Sequence, residues 1–232
     1  MTTIDTHGHI PEPGQAGPRY KQYRHAHHWR SNEEEFDACK TGFWLFLSTE
    51  VLLFAGLFVA YAVFRMLYPE AFKNGSSLLD WRWGGLNTVV LLLSSYTMAM
   101  GIHHVQVGNF NRARINLVLT LIAGLAFLVI KGSLEYYPKL MAGKAPGQFF
   151  TYPYSGNPHE PVWWSVYYCA TAVHATHVII GMALISRALW RLRPSKVHYG
   201  PTHYTYVELT GLYWHLVDLV WIFLFPLLYL IH

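Results

Sequence analysis

Charge is scarce in this 232-residue sequence: 13% of its residues are Asp, Glu, Lys or Arg, against about 25% in an average soluble domain. So few charges argue against a domain that faces water on every side. Cysteine is nearly absent. Cys39 and Cys169 lie far apart and form no CxxC, which excludes a cysteine-based metal motif and gives no disulfide framework. No internal repeat is visible, which weakens an inverted-repeat transporter. No short apolar segment with a small-residue cleavage site opens the chain, so no signal peptide is expected. The net charge of +4 carries no weight for nucleic acid, because basic residues in so apolar a chain reflect loop topology. No nucleic-acid partner is expected.

Apolar and amphipathic aromatic residues are abundant: 53% of the chain is hydrophobic, with nine Trp, sixteen Tyr and thirteen Phe. Crossing a ~30 Å hydrocarbon layer takes about 20 predominantly apolar residues in a helix. Five segments meet that length, at 41–67, 86–106, 113–135, 162–190 and 207–231. They are continuous runs rather than alternating ones, so they read as helices and not as barrel strands. The expected fold is all-α, a polytopic membrane protein with a bundle of five transmembrane helices at 41–232. Residues 1–40 form a polar cytoplasmic arm.

The breaks carry turn chemistry, as in "YPEAFKNGSSLLDWRWGG", "VGNFNRAR" and "AGKAPGQFFTYPYSGNPHEP". Most of the 17 Lys and Arg residues fall in the arm and in the second and fourth loops. This bias places the N-terminus in the cytoplasm and, with five spans, the C-terminus outside. In "SNEEEFDACK", Ser31 or Asn32 is a candidate N-cap, followed by three acids in a first helical turn. That segment is expected to be an amphipathic lead-in to the first span.

Polar residues inside the spans are the candidate functional groups. Glu50, in "WLFLSTEVLLFAGLF", lies nine residues beyond Thr41, hence about 13 Å deep. Phe46, Leu47, Leu53 and Phe54, its neighbours one turn away, cannot donate a hydrogen bond. Either another helix supplies a partner or the acid stays protonated. A neutral structural acid is expected, with a proton relay as the alternative.

In the fourth span, "CATAVHATHVIIG" puts Ala170, His174, His177 and Gly181 in one helical stripe. In the fifth, Glu208, Gly211, His215 and Asp218 share a face. That face is too polar for lipid and should point into the bundle or toward a partner protein. Together His174, His177, Glu208, His215 and Asp218 are expected to form a polar packing seam. In the third span Lys131 and Glu135 are four apart and able to pair. His174 with His177 needs further ligands to hold a metal. A bis-histidine haem would require His215 to oppose His174. Neither a metal nor a haem is expected in this chain.

The blocks "FWLFLSTEVLLFAGLFVAY", "LNTVVLLLSS", "IKGSLEYY", "HATHVIIG" and "GLYWHLVDLVWIFLFPLLY" occur in the order and spacing of subunit III of haem–copper oxidases. From Phe36 to the C-terminus the chain resembles that family, in its bacterial five-helix form. The resemblance implies a non-catalytic subunit of an aerobic respiratory terminal oxidase, most simply a cytochrome c oxidase, in a bacterial inner membrane. Such a subunit packs directly against subunit I, stabilises it and supports proton uptake. The complex as a whole reduces O2 to water and builds a proton gradient. Haems and copper are then expected in subunits I and II, and a small subunit IV is a further possible partner. Glu50 matches the family's membrane-embedded carboxylate. Arg191 falls where members place an arginine near a lipid phosphate, so phospholipid is a candidate ligand there, with Arg187, Arg193 and Lys196 as basic neighbours. The seven-helix members have two additional helices that wall a lipid cleft. The alternatives are an accessory subunit of a quinol oxidase or a nitric oxide reductase. More distant ones are a diheme membrane cytochrome and a transporter using Glu50, Glu208 and Asp218.

Overall fold

The computed structural model describes residues 26–193, 199–201 and 203–231. Residues 1–25 of the expected arm, and Lys196, lie outside this set. The element order is α1 (Asn32–Leu67), α2 (Pro69–Ser77), α3 (Trp81–Gln106), α4 (Phe110–Val129), a π-helical segment (Ile130–Tyr136), α5 (Tyr137–Met141), a 3-10 turn (Gly147–Phe149), α6 (Glu160–Arg191) and α7 (Thr205–Tyr229). Among the described residues, five helical stretches are long and apolar enough to cross a membrane. The chain is an all-α polytopic membrane protein.

Local chemistry sets the helix starts. Ser31 caps α1, its hydroxyl accepting from the Glu34 amide at 3.1 Å, while the Glu34 carboxylate accepts from the Arg30 amide at 2.9 Å. These bonds satisfy amides that have no partner within the helix. The lead-in and the first span are therefore one continuous helix. Asp80 caps α3 through the Arg82 amide at 2.9 Å, which starts that span at Trp81, five residues before the apolar run. The first break is not a plain loop either. Pro69 opens the short helix α2, whose Phe72 and Gly75 pack on Tyr61 and Trp163.

The third membrane stretch runs on to Met141, because the π segment continues α4 into α5 without a break. A π turn inserts one residue into a helix and often marks a specialised site. Here it holds Lys131 and Glu135 in the interior, both 3% exposed.

α7 is the central helix. It packs against α1, α3 and α6, and half of its apolar window is buried. α1 is peripheral, held mainly through Leu47, Phe54 and Tyr61. These are spaced by seven residues, the repeat of a helix–helix seam. Trp214 of α7 occupies the middle of the core. A Cβ on Gly181 would sit 2.7 Å from its ring, and one on Gly124 would sit 2.9 Å away. Glycine at both positions lets α6 and α4 close on the indole, as small residues do in membrane bundles. Two indole N–H groups are anchored on α3: Trp214 Nε1 donates to Ser94 Oγ and Trp221 Nε1 to Thr88 Oγ1, each at 3.0 Å.

Candidate functional site: polar groups inside the bundle

Glu50 has a partner on another helix. Its Oε2 lies 2.8 Å from His177 Nε2 on α6. The side chains are 18% and 13% exposed. Phe54 meets the imidazole edge-on and Tyr213 stacks over it. The other ring nitrogen, Nδ1, lies 2.7 Å from the Val173 carbonyl. A carbonyl only accepts, so Nδ1 carries a hydrogen. Nε2 then has two options. It accepts from a protonated Glu50, or it is protonated itself and donates to a carboxylate. Both arrangements put one proton between the two groups and leave the pair with no net charge. Glu50 therefore avoids the cost of an isolated charge at membrane depth whichever group holds the proton.

The remaining sequence candidates make the following contacts. Glu208 accepts from Lys40 Nζ at 2.9 Å, tying α7 to α1 at one end of the bundle. His215 Nδ1 lies 2.6 Å from the Ser95 hydroxyl on α3. Asp218 is 3% exposed and lies beside the Ser94 and Ser95 hydroxyls. Neither of its oxygens makes a well-formed hydrogen bond with a described residue. His174 is fully buried, its ring set against Phe127 and Trp221 at 5.6 and 5.2 Å. Neither of its ring nitrogens bonds a described residue. The Arg191 guanidinium lies over the rings of Tyr199 and Tyr206 at 5.3 and 5.9 Å. Burial pushes the Tyr199 phenol up to about 12, partly opposed by Arg191.

A second constellation was visible in the sequence only as the pair Lys131 and Glu135. In the structure Glu135 Oε2 accepts from Lys131 at 2.9 Å, Lys139 at 3.2 Å and Tyr167 at 3.0 Å, and also from Tyr229. Lys131 in addition donates to both tyrosine hydroxyls. Lys139 follows Glu135 at the same four-residue spacing, a signal present in the sequence. The tyrosines come from α6 and α7, and no local pattern could have supplied them.

His174, His177 and His215 stand apart from one another. Both nitrogens of His177 are engaged, and Nδ1 of His215 is taken by Ser95. His174 sits at the level of Trp221, six residues along α7 from His215 and thus about 9 Å away along the axis. Among the described residues no three or more His, Cys, Asp and Glu side chains come together as a metal site.

Five membrane-length helices among the described residues, around an aromatic core with paired polar groups, define an integral-membrane helical bundle. The sequence model of the cytochrome c oxidase subunit III family matches residues 25–232. The chain is 32% identical over 207 residues to cytochrome c oxidase subunit 3 of Synechocystis, covering 89% of this chain and 79% of that protein. It is 28% identical over 219 residues to quinol oxidase subunit 3 of Bacillus subtilis, with coverage of 89% and 96%. To cytochrome c oxidase subunit 3 of Gadus morhua it is 33% identical over 195 residues, with coverage of 81% and 67%. The chain belongs to the subunit III family of haem–copper oxidases.

Proposed function

We propose that this chain is the non-catalytic subunit III of a cytochrome c oxidase in a bacterial inner membrane, with its N-terminus in the cytoplasm. It packs on subunit I, beside subunit II and a small subunit IV, and supports proton uptake while the complex reduces O2 to water and builds a proton gradient. The haems and copper reside in the partner subunits. The Lys40–Glu208 end then faces the cytoplasm, and the Lys131–Glu135 cluster lies toward the outside. Arg191, on the cytoplasmic side, contacts a lipid phosphate in this reading.

The observation that carries the reading is the Glu50–His177 pair. In this reading Glu50 is the family's membrane-embedded carboxylate, and its bond to His177 supports one shared proton between them. Such a pair holds a proton without a net charge, which suits a structural acid and permits slow proton exchange. The higher identity to the Synechocystis protein supports cytochrome c as donor. The near-complete coverage of the Bacillus protein favours a quinol oxidase as the second reading.

The test is to purify the chain from native membranes by a C-terminal tag and record reduced-minus-oxidised spectra before and after stripping its partners. Haem absorbance that co-purifies and then leaves with the partners is expected. Haem that stays on the stripped chain would overturn the reading. A Glu50→Gln variant keeps a donor for His177 Nε2, so assembly and initial turnover should be largely intact. Loss of nearly all turnover in an assembled complex would make Glu50 an obligatory relay instead.

A further inference from the structure

His215 and Asp218 are three residues apart on α7, so both side chains lie on one helical face. They meet Ser94 and Ser95 of α3. His215 Nδ1 lies 2.6 Å from the Ser95 hydroxyl, and the Asp218 carboxyl lies beside the hydroxyls of both serines. Asp218 is 3% exposed and Ser94 is fully buried. The hydrogens of this group can be counted. Ser94 donates its own to the Leu91 carbonyl at 2.7 Å and accepts from the Trp214 indole at 3.0 Å, so it has none left to offer. Ser95 has one hydrogen for two neighbours, the imidazole nitrogen and the carboxyl.

The ionisable groups on the helices around α7 are engaged elsewhere. Glu50 of α1 meets His177 of α6, and Lys40 of α1 pairs with Glu208. His174 of α6 is set against Phe127 and Trp221, and Lys131 is held by Glu135. At this level α3 contributes only hydroxyls. A carboxylate at Asp218 would therefore be a single charge at membrane depth with one donor, which is costly. A protonated Asp218 instead donates to Ser95 Oγ, and the Ser95 hydrogen is then free for His215 Nδ1. The neutral imidazole must in that case carry its hydrogen on Nε2. That nitrogen makes no hydrogen bond with a described residue, and the half-buried ring lines an open groove between α1 and α7.

We infer that Asp218, Ser95 and His215 form a proton relay, a second acid–imidazole unit in which a serine hydroxyl links the two groups. At rest the proton sits on Asp218. In transfer the Asp218 O–H bond breaks as Ser95 Oγ takes that hydrogen, and the Ser95 hydrogen passes to His215 Nδ1. The imidazole then holds a hydrogen on each nitrogen and gives up the one on Nε2 to water entering the groove. One proton leaves, Asp218 remains as a carboxylate, and the reverse sequence refills it. The unit shares no side chain with the Glu50–His177 pair, and it does not depend on the oxidase reading.

The test uses infrared spectra of the tagged chain purified with its partners. The spectrum of wild type minus that of Asp218→Asn should contain a protonated-carboxyl C=O band that shifts in heavy water. A difference holding only carboxylate absorption would overturn the inference. The rate of that shift reads the relay. Ser95→Ala should slow it roughly tenfold, the effect of losing one hydrogen-bonded step, whereas Ser95→Thr keeps the hydroxyl and should exchange like wild type. A hydroxyl that only packs would leave the rate unchanged, so equal rates in wild type and Ser95→Ala would also overturn it. A second measurement needs no change at Ser95. With isotope-labelled histidine, nitrogen NMR of the wild type should show His215 with a bare Nδ1 and a hydrogen on Nε2, the signal being assigned by its loss in His215→Gln. A neutral imidazole with its hydrogen on Nδ1 would refute the relay even if no Ser95 variant folds.

Discussion

Replacing Glu135 with Gln removes the one carboxylate from a cluster that holds two lysines. Lys131 and Lys139 approach its Oε2 at 2.9 and 3.2 Å. At an effective dielectric of about 20, each contact is worth roughly 5–6 kcal/mol of gross attraction. Most of that is offset by the cost of taking the three charges out of water. What decides the outcome is what remains after the substitution. Lys131, 3% exposed, keeps as acceptors the new amide carbonyl and the hydroxyls of Tyr167 and Tyr229, and none of them offers a counter-charge. Removing one partner of such a pair costs about 3–5 kcal/mol. Lys131→Met should cost less, about 1–3 kcal/mol, because Glu135 keeps Lys139 and both tyrosines. The double variant should recover part of the Glu135→Gln loss, since no orphaned Lys131 ammonium is left behind. The assay is reversible unfolding of the purified chain in mixed micelles, run on the four members of the cycle. A Glu135→Gln loss below about 1 kcal/mol, or a double variant showing the plain sum of the single losses, would refute the reasoning.

Gly75→Ala should destabilise by about 1–3 kcal/mol through overpacking, because its Cβ would fall 1.9 Å from Trp163 Cδ1 and α2 would have to lift off α6. Thermal unfolding checks it, and an unchanged midpoint would mean that α2 is not seated as described. For Tyr199, the folded phenol titrates at about 12 against about 10 for the free side chain. The folded state therefore holds its proton longer than the unfolded one. The stabilisation this supplies is complete below about pH 10 and is lost as pH rises from about 10 to 12. Comparing alkaline unfolding of wild type and Tyr199→Phe measures it, and coincident curves through that window would refute the assignment.

Much of the architecture could be read along the chain because hydrocarbon imposes a length rule on local sequence. Five apolar runs became five helices, and the cap at Ser31 was one of the two residues the local pattern offered. Boundaries were less legible. The third span extended to Met141 because a buried ion pair and two tyrosines support the π segment, and α2 folded in a stretch that reads as a turn because Trp163 receives it. Glu50 illustrates the division most clearly. Its depth, and the absence of a hydrogen-bond donor one turn away on its own helix, follow from residues 44–58 by themselves. Which helix would answer it does not, since His177 is 127 positions away and its stripe also contains His174, which turned to face Phe127 and Trp221 instead. Periodicity assigns a residue to a face, but it cannot say which neighbour that face meets. The sequence by itself determined the five membrane-length helices and the depth of each polar group, because these depend on apolar run length and a fixed rise per residue. The tertiary structure alone decided the pairing of Glu50 with His177, the four donors on Glu135 and the contact of His215 with Ser95. Those depend on which helices are adjacent, and adjacency is set by packing around Trp214 rather than by any local pattern.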